Sequence, residues 1–293
     1  MTAYLFPGQG SQFVGMGLDL YQKCDNAKEL FETANTILGF RITDILFNGT
    51  SEDLRQTEIT QPAIFLHSII HYFTQITNKP DAVAGHSLGE ISALVANGAL
   101  TFENGLQLVS TRAKLMQDAC IKNPSTMAAV LGLNFDDCMD ICKESTDHTN
   151  EIVGTANDNA PNQIVISGTI AAIHYASNLC VQKGGKVIKL PVGGAFHSPL
   201  MQKAQDELAN YIQNNITFSN PEFPIYQNVT SLSSRSISEI KKNLIAQVTA
   251  PVLWTSTIMN MKNNNINNFV EMPPGKVLSG LVTKILSKIN VSF

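Results

Sequence analysis

Short apolar runs alternate along this chain with longer segments whose apolar residues return every three or four positions, the marks of strands and amphipathic helices in turn. Ala3-Tyr4-Leu5-Phe6 reads as the first strand. A helix follows at about 27–38, and another starts after Pro62 with Ile64, Phe65, Ile69 and Phe73 on or near one face. Asp81-Ala82-Val83-Ala84 is the next strand and leads through a tight turn into a helix from Glu90 to Ala96. Thr101 suits the N-cap of a helix through Leu106, Val109, Ala113 and Met116. This alternation predicts an α/β fold with a largely parallel sheet.

After Asn123-Pro124 the rhythm changes. Strands are expected at 127–131, 152–156, 163–167 and 186–190, with helices at 134–144 and 170–182. The order βαββαβ is the ferredoxin-like plan, so residues 125–190 read as a subdomain inserted into a larger domain made of 1–124 and 191–293. Beyond Pro191 the larger rhythm resumes: helices at about 200–212, 237–248, 254–262 and 276–286, and strands at 225–229, 269–271 and 289–293. The asparagine-rich run at 263–268 reads as a solvated turn.

With 44% hydrophobic and 15% charged residues, the 293-residue chain has the composition of a folded protein and not of a disordered one. A net charge of −4 leaves no electrostatic footprint for nucleic acid. No basic segment precedes an apolar core at the N-terminus, and no run approaches the roughly 20 apolar residues that span a bilayer. A soluble cytoplasmic protein is expected. The five cysteines, Cys24, Cys120, Cys138, Cys142 and Cys180, lack the paired spacing of a zinc site and read as reduced structural thiols. His67 and His71 have the spacing of a helical metal pair, but Ser68 stands where a zinc protease has glutamate, so they read as helix-face residues and no metal is expected.

Candidate chemistry centres on Gly85-His86-Ser87-Leu88-Gly89, a Gly-x-Ser-x-Gly pattern between a strand and a helix. The glycines permit a strained turn that exposes the Ser87 hydroxyl, and the helix N-terminus offers free N–H groups to an oxyanion, Leu88 first. The alternative is a glycine-bracketed serine in an ordinary loop. A serine nucleophile needs a base. Of six histidines, His86 is the serine's neighbour and points elsewhere, which suits a structural or site-lining role, while His148 and His174 fall in the inserted unit. His197 follows Gly193-Gly194-Ala195-Phe196 where the chain re-enters the large domain, a place where loops line a cleft. The turn Pro7-Gly8-Gln9-Gly10-Ser11-Gln12 can bring backbone N–H groups to a ligand, though no Gly-Lys-Ser/Thr follows. Arg112 alone reads as an exposed helix residue in a surface ion pair.

Phe6–Gln12, Gly85–Glu90, Arg112, Ala195–Ser198 and Pro274–Leu278 together, in this order and across essentially the whole chain, resemble the malonyl-CoA:acyl carrier protein transacylase family. The resemblance implies a hydrolase-like α/β domain with a ferredoxin-like insertion. It implies Ser87 as nucleophile, His197 as general base and Arg112 as the grip on the free carboxylate of malonyl. Gln9 and Leu88 then supply oxyanion-hole N–H groups, and the main-chain carbonyl of Gln247 orients the histidine. No cofactor is implied; the substrates are malonyl-CoA and the phosphopantetheine thiol of an acyl carrier protein, and the enzyme is expected to be a monomer.

The chain also departs from the family's patterns. Gly194-Ala195-Phe196-His197 stands where malonyl-selecting polyketide members carry His-Ala-Phe-His, methylmalonyl members Tyr-Ala-Ser-His and fatty-acid members Pro-Ser-His. This favours polyketide assembly, with Phe196 and Gly194 as pocket residues and Phe196 crowding an α-methyl branch. Pro273 replaces a glycine common before Pro-Gly-Lys. With no ketosynthase or carrier segment beside the motifs, action in trans is expected. Lys183, Lys186 and Lys189 are candidates for docking an acidic carrier, or a solvated face. The rival readings are the same transfer serving fatty acid synthesis, an acyl hydrolase, and a non-catalytic carrier-binding scaffold.

Overall fold

The computed structural model describes residues 1–289 and contains two sheets. The strands, in chain order, are β1 (Thr2–Phe6), β2 (Ala82–Gly85), β3 (Ser125–Leu131), β4 (Val153–Ala160), β5 (Gln163–Thr169), β6 (Lys186–Lys189), β7 (Ile225–Tyr226), β8 (Ser233–Ser234) and β9 (Asn268–Glu271). The larger sheet runs β8–β7–β2–β1–β9; β2, β1, β7 and β9 are mutually parallel and β8 is an antiparallel edge. β2 is buried along its whole length and β1 at all but its first residue, as befits the centre of a parallel sheet covered on both faces.

Alternation along these strands divides the core. Tyr4, Phe6, Val83 and Ile225 face one way into a cluster with Phe31, Phe65, Ile91 and Leu106. Ala3, Leu5, Ala84 and Tyr226 face the other way, onto Trp254, Ile258 and Leu281. Helices therefore pack on both faces of the sheet.

The second sheet has the order β4–β5–β3–β6, antiparallel throughout, which is the ferredoxin-like arrangement of βαββαβ. Its helices, Phe135–Thr149 and Ile170–Gln182, share a core with Ala128, Val130, Ile164 and Ile166. From the same sheet Met127, Ala156 and Val165 join the main cluster of the large domain. The end of β4 docks as well: Val252 N–H donates to Ala156 O and Asp158 N–H donates to Val252 O, both at 2.9 Å.

Several boundaries differ from the sequence-based expectation. The helix expected after Pro62 begins at Thr57 and carries Pro62 inside it. The lost N–H would have met the carbonyl of Glu58, one turn back, so only one bond is missing near the helix start. β4 runs to Ala160, not Ala156, because Asn157 and Asp158 keep pairing with β5 across two irregularities despite their polarity. β7 stops at Tyr226, since Gln227 and Asn228 turn away to bond Glu90. The last helix is Val277–Ile289, so a strand does not begin at Ile289, and the rest of the expected strand, 290–293, lies outside the described residues.

Among the described residues no helix is long and apolar enough to cross a membrane, and no group of three or more His, Cys, Asp or Glu residues could hold a metal ion. All five cysteines are free thiols. His67 is buried edge-on to Phe13, and burial lowers its pKa to about 4.

The turn from β2 into the helix Gly89–Ala96 depends on two glycines. A Cβ on Gly85 would lie 1.9 Å from the Gly89 carbonyl, and one on Gly89 would lie 2.1 Å from Phe6 O. Backbone cannot yield there as a side chain would. Gly85→Ala is expected to lower unfolding free energy by about 3 kcal/mol or more, measured by urea titration; a loss under about 1 kcal/mol would show that the turn has slack.

Candidate active site

Ser87 sits at the tip of that turn with φ 54°, left-handed backbone that a non-glycine residue adopts at a cost of order 1–3 kcal/mol. The strain is held from outside. Ser87 N–H donates to Asn228 Oδ1 at 2.7 Å, and Gln247 Nε2 donates to Ser87 O at 3.1 Å. Asn228 Nδ2 in turn donates to Gly85 O at 2.7 Å, so one side chain clamps the strand end and the serine together.

The Ser87 hydroxyl lies 2.8 Å from His197 Nε2. On the far side of the ring, His197 Nδ1 lies 2.8 Å from the Gln247 main-chain carbonyl. A carbonyl only accepts, which assigns the ring proton to Nδ1 and leaves the Nε2 lone pair facing the hydroxyl. The geometry can therefore take a proton from Ser87 without an acidic third residue. Burial lowers the His197 pKa to about 3, with the Arg112 charge acting in the same direction and the Gln247 carbonyl opposing both.

Arg112 is 1% exposed, so it is not the surface residue that its sequence context alone suggests. It projects from the helix Phe102–Lys122. Nη1 donates to Gln61 Oε1 at 2.7 Å, while Nη2 donates to Gln247 Oε1 at 2.9 Å and Ser87 Oγ at 3.0 Å. Nε is buried without a partner, and none of the ion pairs among the described residues includes Arg112. Burial lowers its pKa to about 10, opposed by the charge of Glu90. This guanidinium is charged and desolvated, and among the described residues it donates only to neutral acceptors.

Ser87, His197 and Gln61 line a cavity of about 170 Å³, and Arg112 lies behind Ser87 and Gln61 without lining it. Gln9 and Leu88 line it, and among the described residues neither backbone N–H finds a main-chain partner. Gly8 presses the Gln9 turn onto the elbow: a Cβ there would stand 2.6 Å from His86 O. His86 lines the cavity but turns its Nε2 to Asn159 Oδ1 at 2.8 Å and leans on Trp254, away from the Ser87 hydroxyl. Phe196 lines the cavity; Gly194 does not. A Cβ on Gly194 would fall 1.9 Å from Cys120 Sγ, so this glycine makes room for the cysteine and exposes no pocket surface.

A family model of the acyl transferase domain matches residues 3–291. The chain belongs to that family. A malonyl CoA-acyl carrier protein transacylase of Staphylococcus aureus (strain MRSA252) is 40% identical over 292 residues, which cover 99% of this chain and 94% of that protein. The protein of the same name from Bacillus subtilis (strain 168) is 39% identical over 291 residues, 98% of this chain and 91% of its own length. Among solved structures, a malonyl-transacylase in complex with the holo acyl-carrier protein of a type II polyketide synthase matches with a TM-score of 0.93 at 34% identity, over 98% of this chain and 93% of that one.

As an acyl transferase domain, the chain builds its pocket from more than its motifs. Gln61, Met116, Met127, Asn157, Asn159 and Val165 also line the cavity, and the motifs name none of them. Asn157 and Asn159 are two apart on β4, the spacing that places strand residues on one face, and that was the signal available. Gln61 gave no signal beyond a polar residue in an apolar helix. A histidine that must be neutral to accept a proton, and whose pKa is low, stays active in acid. Labelling of Ser87 by a fluorophosphonate should hold its rate from about pH 7 to about pH 5, below the ordinary histidine range; a decline centred near pH 6.5 would show an unshifted base.

Proposed function

We propose that the protein moves malonyl from malonyl-CoA to the phosphopantetheine thiol of an acyl carrier protein through an ester on Ser87. The observation that carries this reading is the buried Arg112 guanidinium, in contact with Ser87 Oγ and, among the described residues, in no ion pair with a carboxylate. An acyl group on Ser87 that ends in a carboxylate would put a negative charge in direct contact with the guanidinium, and the fork of Arg112 can bind that group through two parallel hydrogen bonds.

In the first half-reaction the Ser87 proton passes to His197 Nε2 as Oγ attacks the thioester carbonyl. The Gln9 and Leu88 N–H groups receive the developing oxyanion. The intermediate collapses with cleavage of the C–S bond, and the CoA sulfur takes the proton from Nε2. In the second half the carrier's thiol gives its proton to Nε2 and attacks the ester, and the Ser87 oxygen leaves and recovers the proton. Gln247 O holds Nδ1–H throughout. An acetyl group would leave Arg112 desolvated and unpaired, a penalty of about 2–5 kcal/mol, or tens to thousands of fold.

We read residues 125–190 as a subdomain inserted between 1–124 and 191–293, with the cavity at the junction. Support comes from the sheet order and from Met127, Val165, Leu190 and Val192 lining the cavity beside Ser87. Five free thiols favour the reducing cytoplasm. Lys183, Lys186 and Lys189 are exposed on and beside the edge strand β6, which leads into the cavity wall at Leu190, and an acidic carrier fits them. Ala195-Phe196-His197 supports a polyketide carrier. Fatty acid synthesis is the second reading, because Gly194 replaces the histidine of the polyketide pattern and is explained by Cys120 packing.

Malonyl-CoA should leave one malonyl group on the protein by intact mass, absent in Ser87→Ala; acyl thioester hydrolysis without such an adduct would sink the transfer reading. Arg112→Ala should lower the malonyl-to-acetyl acylation ratio at least tens of fold, and an unchanged ratio would remove its assigned role. Offered holo carriers of both pathways at equal concentration, the wild-type enzyme should malonylate the polyketide carrier faster; the reverse order would assign it to fatty acid synthesis.

A further inference from the structure

Glu90 follows the serine elbow as the second residue of the helix Gly89–Ala96 and is 0% exposed. A buried carboxylate is costly unless it is paired, yet Glu90 forms no ion pair among the described residues. Its oxygens instead accept three hydrogen bonds. Gln227 Nε2 donates to Oε1 at 3.0 Å; the Asn228 N–H at 2.8 Å and Gln247 Nε2 at 3.0 Å donate to Oε2. Every partner is a donor, and a protonated carboxyl would have no acceptor for its own hydrogen. Burial raises the Glu90 pKa, while these three donors and Arg112 oppose the rise.

Gln247 lies between opposite charges. Its Nε2 faces the Glu90 carboxylate, which only accepts, and its Oε1 faces Arg112, which only donates. Either neighbour alone sets the amide's orientation, and together they forbid a flip. The main-chain carbonyl of the same residue holds His197 Nδ1–H. Glu90 also holds the backbone of Asn228, whose side chain bonds Ser87 N–H. A glutamate at this helix position could simply favour the helix dipole. Its side chain, however, makes no bond to its own helix and reaches three groups from other segments.

We propose that Glu90 is a positioning residue for acyl transfer, acting through Gln247 to hold Arg112 and His197 in register and supplying the buried negative charge that balances the guanidinium while the pocket is empty. It rests on the roles proposed above for Arg112 and His197. Glutamine at position 90 keeps the shape but turns an N–H group against a donor, so at least one of the three bonds is lost. A structural defect alone would add to any defect at Gln247, whereas an effect carried by Gln247 vanishes once that amide is gone.

The test is a double-mutant cycle on kcat/KM for Ser87 acylation by malonyl-CoA, with circular dichroism as the fold check. Glu90→Gln and Gln247→Met, which keeps the main-chain carbonyl, should each lower kcat/KM about ten- to a hundredfold, the range of a hydrogen bond to a charged group. The double variant should fall no further than the weaker single variant. Effects that multiply, or a Glu90→Gln enzyme with wild-type rates, would overturn the proposal. Should Glu90→Gln fail to fold, Glu90→Asp, whose shorter side chain draws the carboxylate back from its three donors, takes its place in the cycle with the same supporting and overturning outcomes. Arg112→Ala run in parallel separates the two levels. If it abolishes malonyl preference while the other variants match wild type, only the role of Glu90 fails; if preference survives, both readings fail.

Discussion

Arg112 carries a full charge at 1% exposure, and among the described residues it donates hydrogen bonds only to the oxygens of Gln61, Gln247 and Ser87. Desolvating such an ion costs several kcal/mol, which the surrounding dipoles offset only in part. The rest of the site is organised by that debt. Gln247 must point its oxygen at the guanidinium, Glu90 must meet the nitrogen that Gln247 turns away, and Arg112 keeps His197 neutral by adding its charge to the effect of burial. Ser87, Gln247 and the lowered pKa of His197 are thus all tied to the same buried charge.

The elbow imposes a second constraint. Ser87 is held in left-handed backbone by bonds from Asn228 and Gln247, and the turn closes only because Gly85 and Gly89 carry no Cβ. His197 has a positive φ as well, 58°, at the other half of the dyad. The small sheet is tied to the large domain where β4 bonds the Val252 segment.

Much of this was legible in the sequence. The βαββαβ order, the strand before the elbow and the helix after Thr101 followed from periodicity and caps, and those signals are local. Where polar residues served tertiary bonds, local signals misled. Asn157 and Asp158 extend a strand that their polarity seemed to end, and Gln227 and Asn228 shorten one. Gly194 looked like a pocket residue because it neighbours Phe196 and His197, yet its space belongs to Cys120.

By itself the sequence determined the main elements and a candidate serine elbow, because apolar periodicity and a glycine-bracketed serine are local patterns, while Arg112 stood out only through the family resemblance. Only the tertiary structure decided what each one touches. Ser87 and His197 are 110 residues apart, Arg112 and Gln61 51, and Gln247 and Ser87 160. A hydrogen bond across such spans depends on how helices and sheets pack, and packing is set by the whole core, which no local pattern encodes. That is why the exposed arginine expected from its helix became a buried charge beside Ser87.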